Sequence, residues 1–160
     1  PPGEPLTKTE AELPPSKPVT EAAPAPLEPQ PSGQITWSWA LYSVSPQVLG
    51  VPLSPSPGFQ FCALGVTIKN DSTVAVAVDH NHFFVTVDGR SYGAELISSA
   101  ITFNQLPFLA PTTLQPGATM GGCVGYMIPA TYAHVSADWR PPGVPSTVKI
   151  VRIDPQPARQ

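Results

Sequence analysis

The chain has 160 residues, 23 of them proline, and a formal net charge of −3 at pH 7. From residue 34 onward six acidic and six basic side chains balance, so no basic stripe can neutralise phosphates, which argues against nucleic-acid binding. No apolar run approaches the roughly 20 residues that span a bilayer, so we expect membrane contact only through an anchor outside this fragment.

Residues 1–33 differ in composition from the rest of the chain. They contain ten prolines, five glutamates, two lysines and no aromatic residue. Such a stretch buries too little apolar surface to offset the entropy of ordering it. We predict a disordered, extended linker here. Two interpretations remain open: a stalk that follows an anchor, or a disordered terminus.

Short β-like runs broken by turns begin at residue 35. The segment 35–42 alternates apolar and polar residues, and 46–58 is a loop rich in Pro, Gly and Ser. The segment 59–69 is the strongest predicted strand, and 70–72 closes it as a turn.

The second half of the chain continues this pattern. A short strand at 74–78 and a strand at 83–87 are predicted first, followed by an ambiguous stretch at 94–110 and a turn at 114–117. A strand at 119–128, a Pro-rich segment at 130–147 and a closing strand at 148–153 complete the prediction. Asp88-Gly89 is a hairpin signal. About seven short strands predict an all-β, immunoglobulin-like antiparallel β-sandwich over 34–154, followed by a flexible tail at 155–160.

Three segments carry a family resemblance: VTIKN, HFFVTVDGRSY and LQPGATMGGCVGYMIP. They resemble the telokin-like domains of unknown function in bacterial lipoproteins and secreted proteins, and the architecture is similar to that of mycobacterial immunogenic secreted sandwich proteins. The matching positions are Asn70, Phe83 or Phe84, Asp88, Gly89, Tyr92, Leu114, Pro116, Gly117, Gly121 or Gly122, and Pro129. The resemblance implies an exported, often tethered sandwich without established catalytic residues.

The two cysteines, Cys62 and Cys123, lie on candidate strands. An inter-sheet disulfide between them is typical of immunoglobulin-like domains. The alternation of Val124 and Tyr126 opposes this pairing, because if these two face the core then Cys123 faces outward. A disulfide and two separate thiols therefore both remain open.

The sequence VDHNHFF contains His80 and His82, which are candidate metal ligands. A zinc site needs three or four ligands, and this segment offers two on one side, with Asp79 pointing the other way. A polar turn that leads into the strand at 83–87 is the alternative and the favoured interpretation. No metal and no cofactor are therefore expected.

Aromatic residues in the loops are the candidate binding residues. Phe108, Trp139 and Tyr132 lie in apolar, Pro-rich stretches, and exposed aromatic loops often form contact surfaces. For Phe108 and Trp139 a core position remains equally open, whereas Trp37 and Trp39 are expected in the core because their strand alternates.

No pattern for nucleophilic or acid–base catalysis is present in the sequence, so we do not expect an enzyme. We expect an extracytoplasmic module that contacts a protein or cell-envelope partner from a Pro-rich stalk. The alternative function is a carrier or sensor of a small ligand or metal, which would use the His80/His82 segment or an apolar cavity between the sheets.

Overall fold

The computed structural model describes residues 29–95, 101–102 and 107–156. From Pro31 onward the chain forms one unit by its internal contacts. The predicted linker, the tail at 155–160 and the ambiguous stretch at 94–110 fall largely or partly outside the described residues. The predicted domain division therefore stays a prediction.

Regular structure in the described residues is β, apart from one 3₁₀ turn at His80–His82. The strands are β1 (Gly33–Ser43), β2 (Gln47–Val48), β3 (Val51–Pro52), β4 (Phe59–Ser72), β5 (Val76–Val78), β6 (Phe83–Val87), β7 (Arg90–Tyr92), β8 (Ile101–Thr102), β9 (Thr112–Leu114), β10 (Thr119–Pro129), β11 (Val135–Trp139) and β12 (Lys149–Ile153). The predicted all-β sandwich is confirmed.

The largest sheet has four strands in the order β10-β4-β1-β12. The long strands β4 and β10 are antiparallel neighbours, as are β4 and β1. The last strand, β12, runs parallel to β1, with Ile35 beside Ile150. The named strands of the described residues therefore pair in antiparallel fashion except at this edge, where β12 runs in the same direction as β1.

One side of this sheet, which we call the inner face, forms the main core together with β5, β6, β9 and β11. Period-two alternation places Trp37, Leu64 and Tyr126 on this face, and all three are buried. The Tyr126 hydroxyl donates to the Phe83 carbonyl oxygen at 2.8 Å. This bond joins the four-stranded sheet to β6 across the core.

The opposite side, which we call the outer face, has a smaller apolar cluster near one end. Val44, Phe61, Ala63 and Cys123 are buried there. The predicted loop at 46–58 contributes a short hairpin of β2 and β3 that pairs with β8. Its turn residues Leu49 and Gly50 have φ of 51° and 81°, as a two-residue type I′ turn requires.

Two other boundaries differ from the predictions. The turn expected at 70–72 is the end of β4, because those residues pair with the first residues of β1. The Pro-rich excursion at 130–147 contains β11, which is held by pairing along the whole of β6. In both places pairing with a neighbouring strand overrides the local turn signal.

Candidate functional site

The two cysteines are unbonded and buried, so of the two alternatives left open the structure has separate thiols, and the disulfide between Cys62 and Cys123 is wrong. In the register of β4 and β10, Cys62 lies beside Tyr126 and Cys123 beside Gly65. Cys62 faces the main core, whereas Cys123 belongs to the outer cluster. Two cysteines on opposite faces of one sheet cannot bond without rearranging the strands.

Burial also makes both thiols poor nucleophiles. Desolvation raises the pKa of Cys62 from 9.0 to about 12, and it raises the pKa of Cys123 as well. The reactive form of cysteine is the thiolate, which a raised pKa depletes at neutral pH. These residues therefore act as apolar packing groups.

The histidine segment is a 3₁₀ turn, as the favoured interpretation predicted. Asp79 caps the turn, with its Oδ1 accepting from the Asn81 backbone N–H at 2.8 Å. His80 is buried, with 9% of its surface exposed. Its ring lies 5.6 Å from the ring of Phe108, centroid to centroid. The turn thus directs one imidazole into the protein instead of presenting a ligand cluster to solvent.

The two imidazoles still carry unused donors or acceptors. The Nδ1 atoms of His80 and His82 are buried without a hydrogen-bond partner, and the His80 Nδ1 lies 3.6 Å from Asp79 Oδ1. Within the described ranges no three metal-ligating side chains come together. The segment offers two nitrogen ligands at most.

The aromatic candidate residues differ in their burial. Trp139 is 7% exposed; it stacks on Phe83 with ring centroids 5.5 Å apart and meets Trp37 edge-on. Of the two positions left open for Trp139, the structure has the core one, so its ring is not available as a contact surface. Phe108 is half-buried against His80 and the outer cluster. Its backbone bridges to Cys123 at the edge of β10.

Tyr132 is the candidate that lies on a concave surface. Its side chain is 39% exposed and borders a cleft of about 520 Å³. We call this the Tyr132 cleft. Its lining residues are Trp39, Ala40, Leu41, Tyr132, Val135, Ser136, Asp154 and Pro155. The cleft therefore lies where β1, β11 and the end of β12 meet.

Among the described residues Asp154 is the only charged group that lines the cleft, and Arg152 compensates its charge. The Trp39 indole N–H donates to Asp154 Oδ1 at 2.9 Å. The Arg152 Nε lies 2.8 Å from the same oxygen. Oδ2 has only a long contact of 3.4 Å to Arg152 Nη2, so this oxygen retains capacity to accept another donor.

Arg152 fixes this corner of the molecule in position. Besides Asp154 it contacts β11, where its Nη1 donates to the Ala137 carbonyl oxygen at 2.9 Å and to Asp138 Oδ1 at 3.3 Å. The guanidinium thereby links β12 in the large sheet to β11 in the facing sheet. The walls of the Tyr132 cleft are held together by this link.

A second concavity, of about 500 Å³, lies on the outer face. Small residues such as Ala40, Gly65 and Gly121 form much of its lining, and Tyr42 stands beside them with 47% of its surface exposed. A Cβ on Gly65 would lie 2.9 Å from the Tyr42 ring. A side chain at position 65 would therefore displace the Tyr42 ring from the sheet.

The described residues contain no helix long and apolar enough to cross a membrane. The chain matches no protein-family model and no curated protein sequence. The expected telokin-like membership therefore stays a prediction.

A β-rich fold is shared with a solved structure from Bacillus subtilis, that of the proposed lipoprotein ycdA. The TM-score is 0.50 at 13% identity over 68% of this chain, which spans 32% of the ycdA chain. The yjhA protein of the same organism aligns with a TM-score of 0.43 at 16% identity, over 64% of this chain and 71% of its own. The first likeness supports a common fold alone.

Proposed function

We propose that this domain is a non-enzymatic, extracytoplasmic module that contacts a cell-envelope component or a protein through the Tyr132 cleft. The observation that carries the proposal is the cleft itself, whose volume falls within the roughly 300–1,000 Å³ of ligand sites. The fold shared with a proposed lipoprotein supports a location outside the cytoplasm.

The roles of the carboxylates support a binding function over catalysis. Asp79 caps the histidine turn. Asp88 accepts backbone N–H bonds from Ala133 and His134. Asp138 and Asp154 are paired with arginines. Each of these carboxylates holds the scaffold in place, which suits a rigid surface for recognition.

Site-specific photocrosslinking tests the proposal. A benzophenone amino acid placed at position 132 should crosslink to material in an isolated cell-envelope fraction. The matched control places it at position 42, because Tyr42 is an exposed tyrosine, at 47% against 39% for Tyr132, that borders the other concavity. Crosslinks of equal yield and identity from both positions would contradict a specific role of the Tyr132 cleft.

A second candidate function is a metal carrier or sensor, which rests on the buried, unpartnered Nδ1 atoms of His80 and His82. Binding only to the native state must raise the thermal midpoint. If this function holds, Zn²⁺ or Cu²⁺ at 100 times its dissociation constant should stabilise the protein by about 2.7 kcal/mol. His82→Gln should abolish the increase, whereas His134→Gln should keep it. A midpoint that neither metal changes would reject a metal function for this segment.

A further inference from the structure

We infer that the ligand of the Tyr132 cleft is a neutral glycan chain of the cell envelope; this inference rests on the function proposed above. The cleft combines an exposed aromatic ring, a carboxylate and a hydroxyl, contributed by Tyr132, Asp154 and Ser136. A pyranose ring presents an apolar face of C–H groups, which packs on an aromatic ring, and a rim of hydroxyl groups that donate hydrogen bonds. The lining therefore matches both surfaces of a sugar.

The charge balance selects among possible ligands. Within the part of the chain that the structure describes, Asp154 is the one charged residue in the lining, and Arg152 lies 2.8 Å from its Oδ1 without itself lining the cleft. The Asp154 Oδ2 can thus accept a hydrogen bond from a hydroxyl group of the ligand, while Arg152 already compensates the charge of the carboxylate. An ammonium group would gain little electrostatic attraction from a carboxylate whose charge is already compensated. An anionic group would be repelled by the same carboxylate. A neutral polyhydroxyl ligand suits this arrangement better than either.

The geometry also favours a chain over a single sugar. The cleft is open toward solvent, and its volume of about 520 Å³ lies within the range for ligand sites. Leu41, Val135 and Pro155 add apolar lining to that of Tyr132. Neighbouring sugars can pack along this surface while one ring stacks on the tyrosine.

Titration of the full chain with three oligosaccharides of different charge tests the inference. The probes are N-acetylated chitotetraose, which is neutral, its deacetylated cationic form, and tetragalacturonate, which is anionic. The indole N–H of Trp39 reports on the cleft in an NMR spectrum, because it donates to Asp154. We expect the neutral probe to shift this signal at the lowest concentration.

Substitution of single tyrosines distinguishes stacking in the Tyr132 cleft from nonspecific binding. Tyr132→Ala should weaken binding of the neutral probe about fivefold or more, as loss of an aromatic contact predicts. Tyr42→Ala, on the outer face, should leave it unchanged. No shift of the Trp39 signal with any probe, a preference for a charged probe, or equal effects of the two substitutions would overturn the inference.

The outcome is distinguishable from that of the proposed function. If position 132 crosslinks to an envelope protein and the Trp39 signal ignores all three probes, then the cleft is a contact site but its ligand is a protein. If both experiments fail, the proposed function fails as well. If the crosslinked material is a glycan and the neutral probe competes for it, both statements hold.

Discussion

At the scale of single residues, Asn70 has the clearest structural role among the positions that carry the family resemblance. It is fully buried, and its amide Nδ2 donates to the carbonyl oxygens of Val74 and Leu114 at 2.8 and 3.0 Å. Its Oδ1 accepts from the backbone N–H and the hydroxyl of Ser72. One side chain thus satisfies the ends of β4 and β9. The buried amide is also inaccessible as a glycosylation acceptor, although Asn70-Asp71-Ser72 fits the acceptor pattern.

Asn70→Ala should lower the free energy of unfolding by about 3 kcal/mol, because buried groups left without partners cost roughly 1–3 kcal/mol each. Asn70→Asp should be at least as harmful, since a carboxylate cannot donate to the two carbonyl oxygens and its charge would be buried. Asn81→Ala in the exposed part of the histidine turn should change the value by less than about 0.5 kcal/mol. Urea unfolding measures all three, and an Asn70→Asp variant as stable as the parent would refute this role.

At the scale of elements, alternation along the chain was enough to predict β1, β4, β6 and β10. Their inner faces repeat apolar residues with period two, and burial in one core is what that pattern predicts. β11 escaped prediction because its sequence, VSADW, sits among prolines and carries one charge. It becomes a strand through its pairing with β6, a long-range contact that no local pattern encodes.

The same reasoning explains which parts of the candidate site were predictable. Tyr132 could be chosen as an aromatic residue in a Pro-rich loop. The contact between Trp39 and Asp154 joins residues 115 positions apart, and it depends on the parallel placement of β12 beside β1. The parallel pairing could not be inferred from alternation, which is identical for parallel and antiparallel edge strands. The position of the cleft could therefore not be predicted from the sequence, whereas Tyr132, one of the residues that border it, could be.

At the scale of the whole molecule, the domain is held together without a covalent link between its sheets. The inner core joins the sheets through buried apolar side chains. Two polar contacts add to it: the Tyr126 hydroxyl on the Phe83 carbonyl oxygen and the Arg152 side chain on β11. Burial raises the pKa of Tyr126 above its usual range, so the phenol keeps its proton, and with it this hydrogen bond, in alkaline solution as well. Stability of this fold should therefore be independent of redox conditions.

A thiol count under denaturing conditions tests that independence. Because Cys62 and Cys123 lie on opposite faces of one sheet, unfolding without reductant should release two reactive thiols per chain. The thermal midpoint should be the same with and without reductant.

The raised pKa of Cys62, about 12 against 9.0, predicts that stability depends on pH. Its contribution to stability is intact below pH 9 and is lost as the pH rises from 9 toward 12, because the unfolded thiol ionises first. Unfolded protein without free thiols, or a midpoint that falls on reduction, would show that the cysteines are bonded.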